Sequence, residues 1–127
     1  MVAPERLTVK VERVAPEGEA LARVGTRVVF VPHGVPGDLL EVEVTQAKSS
    51  FARARIVKVL EPSAQRILPP CPLHFDPSRR GPACGGCDWQ QMNHAAQLEA
   101  KREIVIDCLR RIAKLPDVPV EKTLPSP

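Results

Sequence analysis

Tyrosine is missing altogether, tryptophan occurs once and phenylalanine three times, so aromatic side chains make up only 3% of the chain. A core must therefore be built from Val, Leu, Ile and Ala, which the 43% hydrophobic fraction allows. Long apolar runs are also lacking. The opening Met1-Val-Ala-Pro-Glu-Arg reads as neither a signal peptide nor a membrane span. A cytoplasmic protein with reduced thiols and no membrane partner is the expectation. No glycine-rich turn follows a strand, and 127 residues leave no room for a Rossmann fold. Strong charge of one sign is absent too: the net charge is +3, compatible with nucleic acid but weak evidence alone.

What is abundant is proline. Fourteen occur, clustered after Glu61 and at the C-terminus, where they mark linkers. Before that point the chain reads as short strands. Leu7, Val9 and Val11 alternate with Thr8, Lys10 and Glu12, the two-residue period of a half-buried strand. A turn at 15–18 leads to a strand over 19–24. The apolar run 27–31 suits a central strand. The segment 32–38, with two Pro and two Gly, is a loop. Leu40, Val42 and Val44 alternate with acidic and polar neighbours, and 51–60 is a fifth strand with Ala52, Ala54 and Ile56 on one face. Five short strands with no helix between them predict a mainly β fold: a small OB-like barrel over 1–61, whose closure removes exposed edges. A cysteine-rich loop over 62–92, a helix over 93–115 and a Pro-rich linker over 116–127 complete the expected organisation.

Cys71, Cys84 and Cys87 lie in that loop, the last two as Cys84-Gly-Gly-Cys87. Two glycines allow both sulfurs of a C-x-x-C pair to face one point. A third thiolate from a Pro-rich loop makes a set that holds zinc or an iron–sulfur cluster. The alternatives are a disulfide, which needs an oxidising compartment, and a redox dithiol, which needs a βαβ context. His74 completes a Cys3His set for structural zinc, or is a solvated loop histidine. A [4Fe–4S] cluster would instead take its fourth ligand from outside this sequence. A loop of about thirty residues without a core needs such a centre to order it.

Phe51, Arg53 and Arg55 share parity on the fifth strand, between Lys48 and Lys58. An aromatic beside guanidinium groups is a platform for a stacked base and its phosphates, or else a solvated outer face. Asn93 is a good N-cap for the following helix. Leu98, Val105, Leu109 and Ile112 form its expected apolar stripe, extended by Ile104 and Cys108. Cys108 on that stripe reads as a buried small hydrophobe. Arg110, Arg111 and Lys114 suit the helix dipole.

The segments Glu17-Gly-Glu-Ala-Leu-Ala-Arg23, Val28-Val-Phe-Val-Pro32 and Gly34-Val-Pro-Gly-Asp38, followed by Cys84-Gly-Gly-Cys-Asp-Trp-Gln90 and Gln97-Leu-Glu-Ala-Lys-Arg-Glu-Ile-Val105, carry a family likeness. The chain resembles the N-terminal part of the bacterial RNA uracil-C5 methyltransferases, which use S-adenosylmethionine. The barrel resembles a TRAM domain, an RNA-binding OB-like module. The resemblance implies that Cys71, Cys84 and Cys87 hold a [4Fe–4S] cluster. It implies RNA as partner, ribosomal rather than transfer RNA and not DNA, gripped through Arg27, Lys48, Arg53, Arg55 and Lys58 with Phe30 or Phe51 stacking. It also implies a separate catalytic domain, absent from this sequence, that supplies the S-adenosylmethionine site and the nucleophilic cysteine. The helix would dock on that domain.

Overall fold

The computed structural model describes residues 5–77, 83, 84, 87 and 89–126. Gly85 and Gly86, expected to curl the C-x-x-C backbone, lie outside them.

Alternating Val, Leu and Ala build five strands: β1 (Arg6–Val14), β2 (Ala20–Val24), β3 (Arg27–Val31), β4 (Leu39–Ala47) and β5 (Phe51–Glu61). They close into a barrel in the order β1-β2-β3-β5-β4. β3 and β5 run parallel, and the other neighbours run antiparallel. The small OB-like barrel expected from the alternation is thus the fold. Its core is aliphatic, with Val9, Val11, Val29, Val31, Leu40, Val42 and Ile56 packed on Ala20, Ala22 and Ala54. Each fully buried Val or Leu contributes about 1.5–3 kcal/mol relative to exposure.

Two register shifts decide which side chains face outward. Between Val11 and Arg13, β1 carries one residue more than its partner β2. The bulge keeps Val14 inside and turns Arg13 out, although Arg13 shares sequence parity with Val11. A second shift sets Ile56 opposite Val42 and Lys58 opposite Glu41. It returns Lys58 to the outer side with Arg53 and Arg55, while Val59 packs on the core.

The helix α1 (His94–Arg111) starts where expected, with the Asn93 side chain accepting from the Ala96 N–H at 2.8 Å. It ends at Ile112, and Lys114 already has φ +60°, so the expected extension to 115 is corrected. The apolar stripe is corrected as well. Ala96, Ala100, Ile104 and Asp107 form the inward face. Small side chains let the helix axis approach the barrel, and Ala96, Ala100 and Ile104 join Val14, Val35, Met92 and Trp89 in a second cluster. Val105 and Ile112 are exposed, and Cys108 is half-buried rather than in the core.

The connector is not coreless either. Residues 65–67 pair with 91–93: Arg66 bridges Met92, Ile67 N–H donates to Gln91 O, and Asn93 N–H donates to Gln65 O. Met92 and Gln91 are buried, so protein contacts alone order this part of the segment. The expected free linker after Pro116 is also different. Arg102 Nε donates to Val120 O at 2.9 Å and Thr123 Oγ1 donates to Leu98 O at 2.9 Å, which lays the tail back along α1. Among the described residues no helix is long and apolar enough to cross a membrane.

Candidate nucleic-acid interface and cysteine loop

Parallel pairing of β3 with β5 sets Val28 beside Phe51 and Phe30 beside Arg53. Outward parity then gathers three side chains expected from the sequence. The Phe30 and Phe51 rings meet edge to face with centroids 5.9 Å apart. The Arg53 guanidinium carbon lies 5.5 Å from the Phe30 centroid, and Nη1 donates to Glu19 Oε2 at 2.6 Å. The carboxylate thus fixes the cation over the ring, a preformed aromatic–guanidinium surface.

This surface is one wall of an open groove of about 640 Å³. The opposite wall comes from the β1–β2 turn, with Ala15, Pro16, Glu17 and Glu19. Arg13, Arg23 and Arg111 complete the rim. Arg13 and Arg111 each donate Nη1 to Asp107 at 3.0 Å, one to each carboxylate oxygen. Asp107 is buried, so this pair ties helix to barrel and leaves a net positive charge at the groove end. Sequence reasoning missed Arg13, Arg23, Arg111, Glu17 and Glu19 as members of one site. The bulge that turns Arg13 outward leaves no mark in the strand period.

The other expected contacts stand elsewhere. Arg55 pairs with Glu43, its register partner on β4, and Lys58 lies opposite Glu41. Arg27 donates to Glu5 at 3.2 Å. Lys48 sits in the β4–β5 turn, its N–H donating to Phe51 O. The partly exposed Arg27–Glu5 pair contributes about 0–1 kcal/mol, so a phosphate can displace that carboxylate, whereas Glu43 is buried. These four cations flank the groove residues but do not line the groove.

All four cysteines are free thiols. Cys71 N–H donates to Gln90 Oε1 at 3.0 Å, and Cys84 N–H donates to Leu73 O at 2.8 Å, which straps Cys84 to the turn after Cys71. Cys84 and Cys87 are exposed and Cys71 is half-buried. Three reduced thiols on one strapped loop are the soft donor set that zinc or an iron–sulfur cluster takes, and in that chemical sense they fit. Among the described residues, no three His, Cys, Asp or Glu side chains converge into a metal-holding group. His74 is only 2% exposed, its Nδ1 3.1 Å from Phe75 O and its ring edge-on to His33. It is therefore not a solvated loop histidine, and the expected Cys3His set is not assembled. His33 in turn stacks on Phe75 at 4.5 Å, so this imidazole pair caps the barrel end.

The loop is clamped to the groove wall by its tryptophan. Trp89 Nε1 donates to Gly18 O at 2.9 Å. Gly18 has φ +94°, and a Cβ there would lie 3.7 Å from the indole nitrogen. Gln97 Nε2 donates to both Trp89 O and Met92 O, fixing the other side of the loop to α1.

Comparison with known proteins agrees with this architecture. Residues 5–57 match the TRAM domain. The chain is 41% identical over 111 residues to an RNA methyltransferase of Synechocystis, covering 87% of this chain and 22% of that protein. It is 40% identical over 121 residues to an RNA methyltransferase of Nitratidesulfovibrio vulgaris, 95% of this chain and 24% of that protein. It is 37% identical over 109 residues to the 23S rRNA (uracil(1939)-C(5))-methyltransferase RlmD of Shewanella amazonensis, 86% of this chain and 23% of that protein. The chain thus spans about a quarter of the length of the curated relatives it matches. The chain therefore carries a TRAM domain, and its similarity to proteins named RNA methyltransferases extends over most of its length.

Proposed function

We propose that the chain is the RNA-binding, [4Fe–4S]-binding N-terminal region of an enzyme that methylates uracil C5 in ribosomal RNA, working in the cytoplasm with a catalytic domain that binds S-adenosylmethionine. The observation that carries the RNA half is the preformed surface of Phe30, Phe51 and Arg53 on a barrel matched as TRAM. Aromatic rings accept any base face, and guanidinium groups hold phosphates, so the surface suits single-stranded RNA. Arg27, Lys48, Arg55 and Lys58 extend the cationic track on either side. The uracil C5 specificity is supported by the relative whose name carries that activity.

Cys71, Cys84 and Cys87 would hold the cluster, with a fourth ligand from outside this chain. When bound, the cluster supplies structural cross-linking rather than electron transfer. The chain's own part is to offer three thiolates and to transmit the loop position through Trp89 to the β1–β2 turn.

Salt titration of RNA binding tests the interface. The logarithm of affinity for single-stranded RNA falls with the logarithm of salt by about 0.7 per neutralised phosphate. Changing Arg53 and Arg55 together to Ala should flatten the slope by one to two phosphates. An unchanged slope removes this face from the RNA contact. Protein purified without oxygen should be brown and contain iron and sulfide, whereas colourless protein with one zinc would replace the cluster reading.

A further inference from the structure

The groove carries a feature that phosphate gripping does not explain: two carboxylates, Glu17 and Glu19, line it together with four guanidinium groups. Carboxylates repel phosphates, so a groove meant only for the RNA backbone would bind better without them. Glu19 has a task already, since it holds Arg53 over Phe30. Glu17 is exposed at the groove and makes no ion pair among the described residues.

Resting on the RNA-binding reading, we infer that this groove takes one unpaired guanine nucleotide, its base stacked at Phe51 and Phe30, its Watson–Crick edge on Glu17, and its phosphate on Arg13 and Arg111. A volume of about 640 Å³ lies in the range that accommodates a small ligand of nucleotide size. The base class follows from hydrogen-bond chemistry. A carboxylate offers two adjacent acceptors and no donor. Guanine presents two adjacent donors, N1–H and the N2 amine, and matches them both. Adenine and cytosine present one amine beside a ring acceptor, which would oppose a carboxylate oxygen. Uracil presents one N–H between two carbonyls. The phosphate seat follows from the Asp107 clasp. Arg13 and Arg111 each use Nη1 on Asp107, and each fork has further N–H donors.

Binding of the 127-residue chain to fluorescein-labelled seven-nucleotide RNAs, uridine throughout except the centre, tests the assignment. Central guanosine should bind about tenfold tighter than adenosine, cytidine or uridine, the discrimination one bidentate base contact gives. Central inosine, which lacks the N2 amine, should lose most of that advantage. Glu17→Gln should erase the guanosine preference, read as the ratio of guanosine to uridine affinities in the same variant. Phe51→Ala should weaken every strand by about five- to hundredfold. Equal binding of all strands by the parent chain, or a guanosine preference that survives Glu17→Gln, overturns the guanine assignment and leaves RNA binding intact. Absence of any RNA binding by the parent chain overturns the RNA reading itself. Glu17 is exposed in a turn, so Glu17→Gln reads recognition and not folding.

Discussion

Arg66 covers a carboxylate that has no solvent exposure: its Nη2 donates to Asp38 Oδ2 at 2.6 Å, and its Nε approaches both carboxylate oxygens at 3.1 and 3.2 Å. Asp38 also accepts from the Val35 and Ser63 N–H groups, both at 2.8 Å, and Arg66 Nη2 donates to His33 O. One ion pair therefore closes the 32–38 loop on the connector that leads to the cysteines.

Removing Arg66 leaves the Asp38 charge buried with only its two backbone donors. Breaking a buried pair by removing one partner costs about 3–5 kcal/mol. Arg66→Ala should fall near the lower figure, because those donors remain. Urea unfolding followed by the fluorescence of the sole tryptophan, Trp89, reads this directly. A loss under about 1 kcal/mol would show that the pair closes nothing.

Gly34 sits in the same loop, and here the constraint is space. A Cβ at this position would lie 2.7 Å from Ala20 Cβ and 3.1 Å from Val11 Cγ2, both on the barrel wall. Gly34→Ala should destabilise by about 1–3 kcal/mol, as overpacking does. Ala20→Gly in the Gly34→Ala background should recover part of the loss, measured in the same unfolding assay. No recovery would place the cost in the backbone instead.

These cases show what the strand period carries and what it does not. The alternation along 7–11, 40–44 and 51–56 was enough for a closed β barrel and for the shared face of Phe51, Arg53 and Arg55. Gly34 reads as a loop kink in the sequence, yet its need is the approach of Ala20, a contact only the closed barrel creates. Arg13 reads as inward until the bulge after Val11 turns it out. On α1 the large apolar residues draw the eye, but Ala96 and Ala100 face the barrel because small residues permit close approach. The groove itself combines β1, β2, β3, β5 and the end of α1, a juxtaposition that no local pattern encodes.

Gln91 is 1% exposed, and among the described residues neither its amide nitrogen nor its amide oxygen has a hydrogen-bond partner. A buried amide without partners costs about 1–3 kcal/mol. Gln91→Met keeps the length of the side chain and removes the polar atoms, so it should leave stability unchanged or raise it by about 1 kcal/mol. Its backbone bond to Ile67 N–H does not depend on the side chain. A destabilisation of similar size would mean that the amide has a partner when the protein is in solution, such as a bound water.

The four cysteines should divide three to one. Cys71 and Cys84 are linked through the strap from Cys84 N–H to Leu73 O, and Cys87, like Cys84, is exposed. Cys108 belongs to α1, where its carbonyl accepts from Ile112 and Ala113, and its thiol lies half-buried on the helix. Serine is a hard, weakly acidic donor and a poor replacement for a thiolate on iron. After reconstitution with iron and sulfide without oxygen, Cys71→Ser, Cys84→Ser and Cys87→Ser should each lose most of the bound iron and the visible charge-transfer absorbance. Cys108→Ser should retain both. Iron and acid-labile sulfide per chain, measured beside the unfolding midpoint, separate loss of a ligand from loss of the fold. Equal iron content in all four variants would remove the cluster from this loop, and loss confined to Cys108→Ser would move it to the helix.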